Sequence, residues 1–311
     1  MINGVYAVKA LLGQGGMATV YEAEQTNMGR PVAIKVLPVD RTSSSEAHKR
    51  FLQEARAAAA LSHPNICQVF DFGALPDGSP YFAMERLVGE ALSDRFEREH
   101  ALPFVDFIDI LMQVLAGLGA AHKKGIIHRD VKPENVFLMA REGRPPFVKL
   151  LDFGVSKSVA PHTEGSGDDT TQLTRTGIVM GTPFYMAPEQ AFGDRHFDAR
   201  VDLWSTGVIF YEGVAGRRPF GGTSYQTLLN AIIQERPRPI RELRPGTPPE
   251  VEMVIEKALS KQREARYQSA LEFMGDLQKL RERIVRLGYL PSAGSASRQP
   301  VAPGNGGEGQ S

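Results

Sequence analysis

The stretch Ile126-Ile127-His128-Arg129-Asp130-Val131-Lys132-Pro133-Glu134-Asn135 limits what this chain can fold into more than any other. Apolar residues lead into it and Val136-Phe137-Leu138 lead out, so a polar loop must hang between two buried segments. Pro133 stiffens the loop, because the proline ring locks φ. Asp130, Lys132 and Asn135 supply an acceptor, a fixed cation and a carbonyl-type metal ligand on that one loop. Phosphoryl transfer needs such a set: one group to orient a hydroxyl, one positive charge near the moving phosphoryl, one oxygen ligand for a metal ion. Taken by itself, the loop also reads as a surface turn with chance charges, so the rest of the chain has to decide.

A glycine-rich segment, Gly13-Gln14-Gly15-Gly16-Met17-Ala18-Thr19-Val20, succeeds a weakly alternating run that ends in Leu11-Leu12. Without Cβ atoms, backbone N–H groups can approach phosphates closely. A nucleotide loop of the Walker type needs Gly-Lys-Ser/Thr at its end, which is absent here. A dinucleotide fold needs a helix next and an acidic residue about 20 positions on. Neither pattern is met. The next residues, Val20-Tyr21-Glu22-Ala23-Glu24, alternate as a strand does, and a turn at Asn27-Met28-Gly29-Arg30 leads to a third strand, Val32-Ala33-Ile34-Lys35-Val36-Leu37. The loop therefore lies inside an antiparallel meander.

Farther on stand Asp152-Phe153-Gly154, after the short strand Val148-Leu151, and Gly181-Thr182-Pro183-Phe184-Tyr185-Met186-Ala187-Pro188-Glu189. With 128–135, the glycine-rich loop and Val32-Ala33-Ile34-Lys35, these motifs resemble the protein kinase family in family order, over about residues 6–282. Lys132, two residues after Asp130, is similar to the serine/threonine version, and Gly-Gly-Met-Ala to bacterial members. Ala18 departs from the family's third glycine, which bears on how closely the loop tip caps the phosphates.

The resemblance implies an α+β, bilobal fold: an antiparallel β-rich N-lobe with one main helix at 6–87, a mainly helical C-lobe at 88–285, and a Pro/Gly/Ser-rich disordered tail or linker at 286–311. It implies an ATP-dependent protein serine/threonine kinase. Asp130 would orient the hydroxyl and take its proton, Lys132 would offset charge, and Asn135 and Asp152 would ligate Mg2+, with Mn2+ as an alternative. Thr182 would seat the substrate hydroxyl. Leu12, Gly13, Gln14, Gly15, Gly16, Met17, Ala18, Val20, Ala33, Met84 and Phe137 would surround ATP, and the Glu85 carbonyl and Leu87 amide would hold the adenine edge. Lys35 would hold the α- and β-phosphates and pair with Glu54 on a helix running to Leu61 from a cap at Ser43–Glu46. Arg129, beside Asp130, implies control by a phosphorylated loop, with Thr174 and Thr176 the best sites and Thr170 and Thr171 next. The same likeness gives Asp202 as a brace for the catalytic-loop backbone and Arg266 as the buried ion-pair partner of Glu189. Glu134 would favour basic residues near the target. A nucleotide-binding scaffold without turnover, a pseudokinase, is the rival, but Lys35, Asp130 and Asp152 are all present.

Other readings come from the residues directly. The helix at 104–123 buries a stripe of Phe107, Leu111, Val114, Leu115 and Leu118, and His122 at its end is structural. Trp204 belongs to the core, and Pro219-Phe220 close its helix. Lys plus Arg equals Asp plus Glu at 36 each, which gives no support for nucleic-acid or membrane-surface binding. One cysteine, Cys67, cannot form an internal disulfide and reads as a small buried hydrophobe, which fits a reducing cytoplasm. No leader pattern opens the chain and no run of about 18 apolar residues is expected. From Gly288 on, large apolar residues almost vanish, as in a linker to an anchor or another domain. Partners are protein substrates and ATP, with a homodimer as the route to trans-autophosphorylation.

Overall fold

The computed structural model describes residues 1–14, 18–37, 45–153, 183–194 and 196–288, with the backbone alone at 45–50 and at Glu54. Five strands form one antiparallel sheet in the order β1-β2-β3-β5-β4: β1 Tyr6–Gln14, β2 Thr19–Gln25, β3 Arg30–Val36, β4 Val69–Ala74 and β5 Pro80–Glu85. Its two faces follow the period-2 rule. Val32, Ile34 and Val36 of β3 pack with Tyr6, Ala23, Tyr81 and Ala83 on one side. On the other, Phe82 and Val69 meet Phe51 and Ala55 of helix α1, Ser45–Ala59, with Met84 packed at the edge. The turn between β2 and β3 closes at Gly29, whose φ of 61° suits a residue without Cβ.

The larger core is helical. Helix α2 is Leu92–Glu99 and α3 is Phe104–His122. Phe107, Leu111, Val114, Leu115 and Leu118, the expected stripe, are fully buried, and so are Ile108, Val105 and Ala121. Burial beyond one stripe means that α3 is a central helix. At 19 residues and a mean hydropathy of 1.7 it passes for a membrane-crossing helix by length and composition alone, but Asp106, Asp109 and Gln113 interrupt it, so no unbroken run of about 18 apolar residues occurs, as expected. Its composition is that of a helix packed inside a fold: most of it is buried against its neighbours. Helices Arg200–Ala215, Tyr225–Gln234, Ile240–Leu243, Pro249–Ala258 and Ala270–Arg286 complete this lobe, with the short turn Pro188–Ala191. Trp204 is fully buried and stacks on Phe220 at 5.8 Å, as a core residue should.

Helix Arg200–Ala215 ends before Pro219-Phe220. Gly216 stops it in the left-handed conformation (φ 69°), with its N–H returning to the Glu212 carbonyl, so glycine rather than proline chemistry closes this helix. A second sheet, β6 Glu90–Ala91, β7 Val136–Arg141 and β8 Arg144–Leu150, joins the apolar run that follows the 128–135 loop to the strand expected at Val148–Leu151 as a hairpin. The lobes are stitched together at its far end. Ile66 bridges Leu150 in parallel, Asn65 Nδ2 donates to the Val148 carbonyl at 2.9 Å, and Cys67 N–H donates to the Leu150 carbonyl. Cys67 is buried, and burial pushes its thiol well above the ordinary range, so it serves as a small hydrophobe.

Candidate active site

The loop 128–135 owes its shape to Asp202, a carboxylate that is 1 % exposed at the start of helix Arg200–Ala215. Asp202 accepts the backbone N–H groups of His128 at 2.9 Å and Arg129 at 2.8 Å, and His122 Nε2 lies 2.7 Å away. These bonds hold Arg129 at φ 64°, a conformation an L residue rarely adopts unaided. The expected brace is thus present, and His122 has the structural place expected of it. His128 is fully buried against the Phe153 ring at 4.5 Å. Its Nε2 must carry the proton to donate to the Leu151 carbonyl (2.9 Å), which leaves Nδ1 to accept from Asp130 N–H at 3.4 Å. Sequence reasoning gave His128 no role; its place in the motif, directly before Arg129, was the available signal.

Asp130, Lys132 and Asn135 come together as expected. Lys132 Nζ lies 3.2 Å from Asp130 Oδ2, and Asn135 Nδ2 donates to the Asp130 carbonyl at 2.8 Å and to Oδ2 at 3.3 Å. With its amide nitrogen engaged by the loop, Asn135 has its side-chain oxygen left as a lone-pair donor for a cation. The Leu151 N–H donates to the Asn135 carbonyl at 2.9 Å, which joins this loop to Asp152. Asp152 also holds a positive φ, 46°. One carboxylate and one amide oxygen are the hard donors that a magnesium-sized ion accepts beside phosphates and water, so the residues present fit such an ion.

Across the cleft, Lys35 Nζ lies 2.6 Å from Asp152 Oδ1. The Lys35–Glu54 pair expected from the sequence involves a side chain outside those described. Lys35 pairs in register with Val20 on β2 and Phe82 on β5, and Ala33 with Met84. Val20, Ala33, Lys35 and Met84 therefore share one side of the sheet, the side facing away from the Tyr6–Tyr81 cluster. Leu12, Gly13 and Gln14 are exposed at the end of β1, where Gly13 pairs with Val20 and Gln14 with Thr19. The glycine-rich segment thus links two antiparallel strands, with Gln14 ending β1 and Ala18 immediately preceding β2. Phe137, the second residue of β7, pairs with Ala91 and Lys149.

At the junction of the lobes Leu87 is buried, and among the described residues nothing accepts its N–H. That orphan donor is what an adenine edge would require. The Glu85 side chain does work that the sequence did not disclose: it accepts Lys149 Nζ of β8 at 2.7 Å and Gln68 N–H at 2.8 Å, a tie between the lobes. Glu189 and Arg266 form a fully buried bidentate pair with both distances 2.7 Å. Gly15, Gly16, Met17, Thr170, Thr171, Thr174, Thr176 and Thr182 lie outside the described residues.

A model of the protein kinase domain matches residues 6–277. The serine/threonine-protein kinase pkn3 of Myxococcus xanthus is 40 % identical over 300 residues, covering 96 % of this chain and 54 % of that protein. Serine/threonine-protein kinase PknA of Mycobacterium tuberculosis is 38 % identical over 309 residues, 97 % of this chain and 68 % of that one. PknB of Mycobacterium leprae is 37 % identical over 275 residues, 88 % of this chain and 42 % of that protein. The chain thus spans about half the length of several curated relatives it matches. Among solved structures, the Mycobacterium tuberculosis PknI kinase domain superposes with a TM-score of 0.68 at 26 % identity, over 90 % of this chain and 97 % of that one.

Proposed function

The chain belongs to the protein kinase family, and from that membership we propose that it transfers the γ-phosphoryl group of ATP to serine or threonine hydroxyls of proteins. One observation carries the reading: Asp130, Lys132 and Asn135 are hydrogen-bonded into a single loop, and that loop is bonded in turn to the segment that brings Asp152 to Lys35.

Asp130 orients the accepting hydroxyl and takes its proton as the oxygen attacks. Lys132, held beside it, offsets the negative charge that the moving phosphoryl spreads over its oxygens. Lys35 exchanges part of its contact with Asp152 for the α- and β-phosphates. Asp152 and Asn135 hold a divalent cation, Mg2+ in this reading with Mn2+ as an alternative, which would neutralise phosphate charge when bound. The Glu85 carbonyl and Leu87 N–H take the adenine edge, with Leu12, Val20, Ala33, Met84 and Phe137 around the base and the glycine-rich turn over the phosphates. Thr182 seats the acceptor, and Thr174 and Thr176, ahead of Thr170 and Thr171, receive regulatory phosphates. A cytoplasmic setting and a transient homodimer for trans-autophosphorylation complete the proposal. A scaffold that binds nucleotide without turnover is less well supported, because every group needed for transfer is present.

The test is autophosphorylation with labelled ATP and Mg2+, beside Asp130→Asn, with sites mapped by mass spectrometry. Label on Thr174 or Thr176 that the variant lacks is the expected result. Intact nucleotide binding with no transfer to itself or to any protein substrate would favour the scaffold.

A further inference from the structure

On the acceptor side of the molecule lies a groove that the nucleotide chemistry does not use. It is open, ≈ 420 Å³, and is lined by Phe184, Glu212, Arg217, Arg218 and Phe220 among others. Phe184 sits at the start of the Phe184–Glu189 segment, two residues after Thr182, so the groove borders the platform on which an acceptor peptide would lie. Its one carboxylate is already occupied. Glu212 Oε2 accepts the Tyr185 hydroxyl at 2.5 Å, and Glu212 Oε1 accepts Arg218 Nε at 3.2 Å. The Arg218 guanidinium is laid over the Phe184 ring at 4.1 Å, and the Tyr185 ring lies at 5.7 Å. Arg218 therefore plugs the acidic corner from within. Burial also pushes the Glu212 carboxyl upward, and Glu134 of the 128–135 loop pushes it further, which puts this corner within electrostatic range of Asp130's loop.

Arg217 is left. It is exposed on the rim, and among the described residues it makes no hydrogen bond and no ion pair. Two guanidiniums against one internally satisfied carboxylate make the groove cationic, the reverse of what Glu134 suggested from sequence. We propose that this groove reads an anionic side chain of the protein substrate, a carboxylate or a phosphate monoester, close in sequence to the accepting hydroxyl, with Arg217 as the charge it meets. Planar guanidinium forks match both groups bidentately. The inference rests on the phosphotransfer reading and adds a substrate class to it.

The experiment uses the full chain and fluorescein-labelled threonine peptides that carry Glu, phosphoserine, Gln or Lys at each flanking position in turn. Binding is followed by anisotropy and transfer by initial rates, in wild type, Arg217→Gln and Arg217→Glu. At an ionic strength of about 0.1 M, where exposed charges still act over a Debye length, the Glu or phosphoserine peptide should bind about fivefold or more tighter than the Lys peptide at one flanking position. The ratio should collapse in Arg217→Gln and invert in Arg217→Glu, and in transfer assays it should appear in KM rather than kcat. A phosphoserine advantage that fades as pH drops below about 6, the second phosphate pKa, identifies a primed substrate; equal Glu and phosphoserine binding identifies a carboxylate. A wild-type preference for Lys, or an order that Arg217→Glu leaves unchanged, overturns the proposal. If the binding order holds while no peptide is phosphorylated, the phosphotransfer reading is what has failed.

Discussion

Single residues decide how the 128–135 loop is held. Asp202 satisfies two backbone donors on consecutive residues, one of them at positive φ. Asp202→Ala strands the buried His128 donor and the part-buried Arg129 donor, each costing about 1–3 kcal/mol when buried, so a urea midpoint should drop by the equivalent of about 2–4 kcal/mol. Transfer should fall by about 100-fold even at temperatures where the variant is folded, because a misplacement near 1 Å costs that much in a positioned reaction. Arg266→Met strands the Glu189 carboxylate, 7 % exposed, without its bidentate partner. The expected loss is about 3–5 kcal/mol. Adding Glu189→Met should restore part of it, and only part, because Arg266 also donates to the Ser260 and Lys261 carbonyls. A double variant no more stable than Arg266→Met would show that packing, not the orphaned charge, dominates. At this scale much was legible beforehand. Asp130, Lys132 and Asn135 lie so close in sequence that few backbone paths could keep them apart. The Lys35–Asp152 contact was not legible, because Asp152 reaches Lys35 only where the two lobes meet.

Elements explain what pattern could and could not foretell. The α3 stripe was readable because its period survives central burial. The two-residue strand β6 and the four-residue turn Pro188–Ala191 have no room for a period to develop. The helix stop at Gly216 was missed because Pro219 is the louder signal, although a left-handed glycine is the commoner cap. Close helix approach was equally hidden. A Cβ on Gly213 would meet the Phe107 ring of α3 at 2.2 Å. Gly213→Ala should therefore destabilise by about 1–3 kcal/mol by overpacking, despite the gain in helix propensity, and a thermal melt reads the sign directly. Glu90 on β6 is pulled down to about 2, chiefly by the Arg98 hydrogen bonds against some burial, then by Arg95. A carboxylate whose folded pKa is depressed stabilises above its unfolded pKa near 4.5 and loses that contribution as pH falls through about 2. Glu90→Gln should cost about 0.5–1 kcal/mol at neutral pH, screened as a partly exposed cluster, and the difference from wild type should fade between these two pH values in acid titrations of stability.

For the whole molecule, nucleotide binding and stability are linked. Lys35 and Asp152 hold each other across the cleft, so a non-hydrolysable ATP analogue with Mg2+ must recruit groups that are already paired. At about 100 times its dissociation constant the analogue should still add about 2.7 kcal/mol to stability by mass action. Lys35→Met should largely abolish the rise in Tm; an undiminished rise would mean that the phosphates are held elsewhere. Glu85 and Lys149 make the same point without a ligand, since each lobe carries half of a contact that neither sequence neighbourhood reveals. The Glu189–Arg266 pair extends this to time. Its members stand 77 positions apart in the chain. A ribosome adding about 5–20 residues per second delivers the arginine roughly 4–15 s after the glutamate. During synthesis the Pro188–Ala191 turn therefore carries an unanswered Glu189 charge, which opposes its burial until Arg266 arrives. The segment proposed to seat the acceptor therefore settles only after residue 266 has emerged, so a half-made chain has no finished platform to offer.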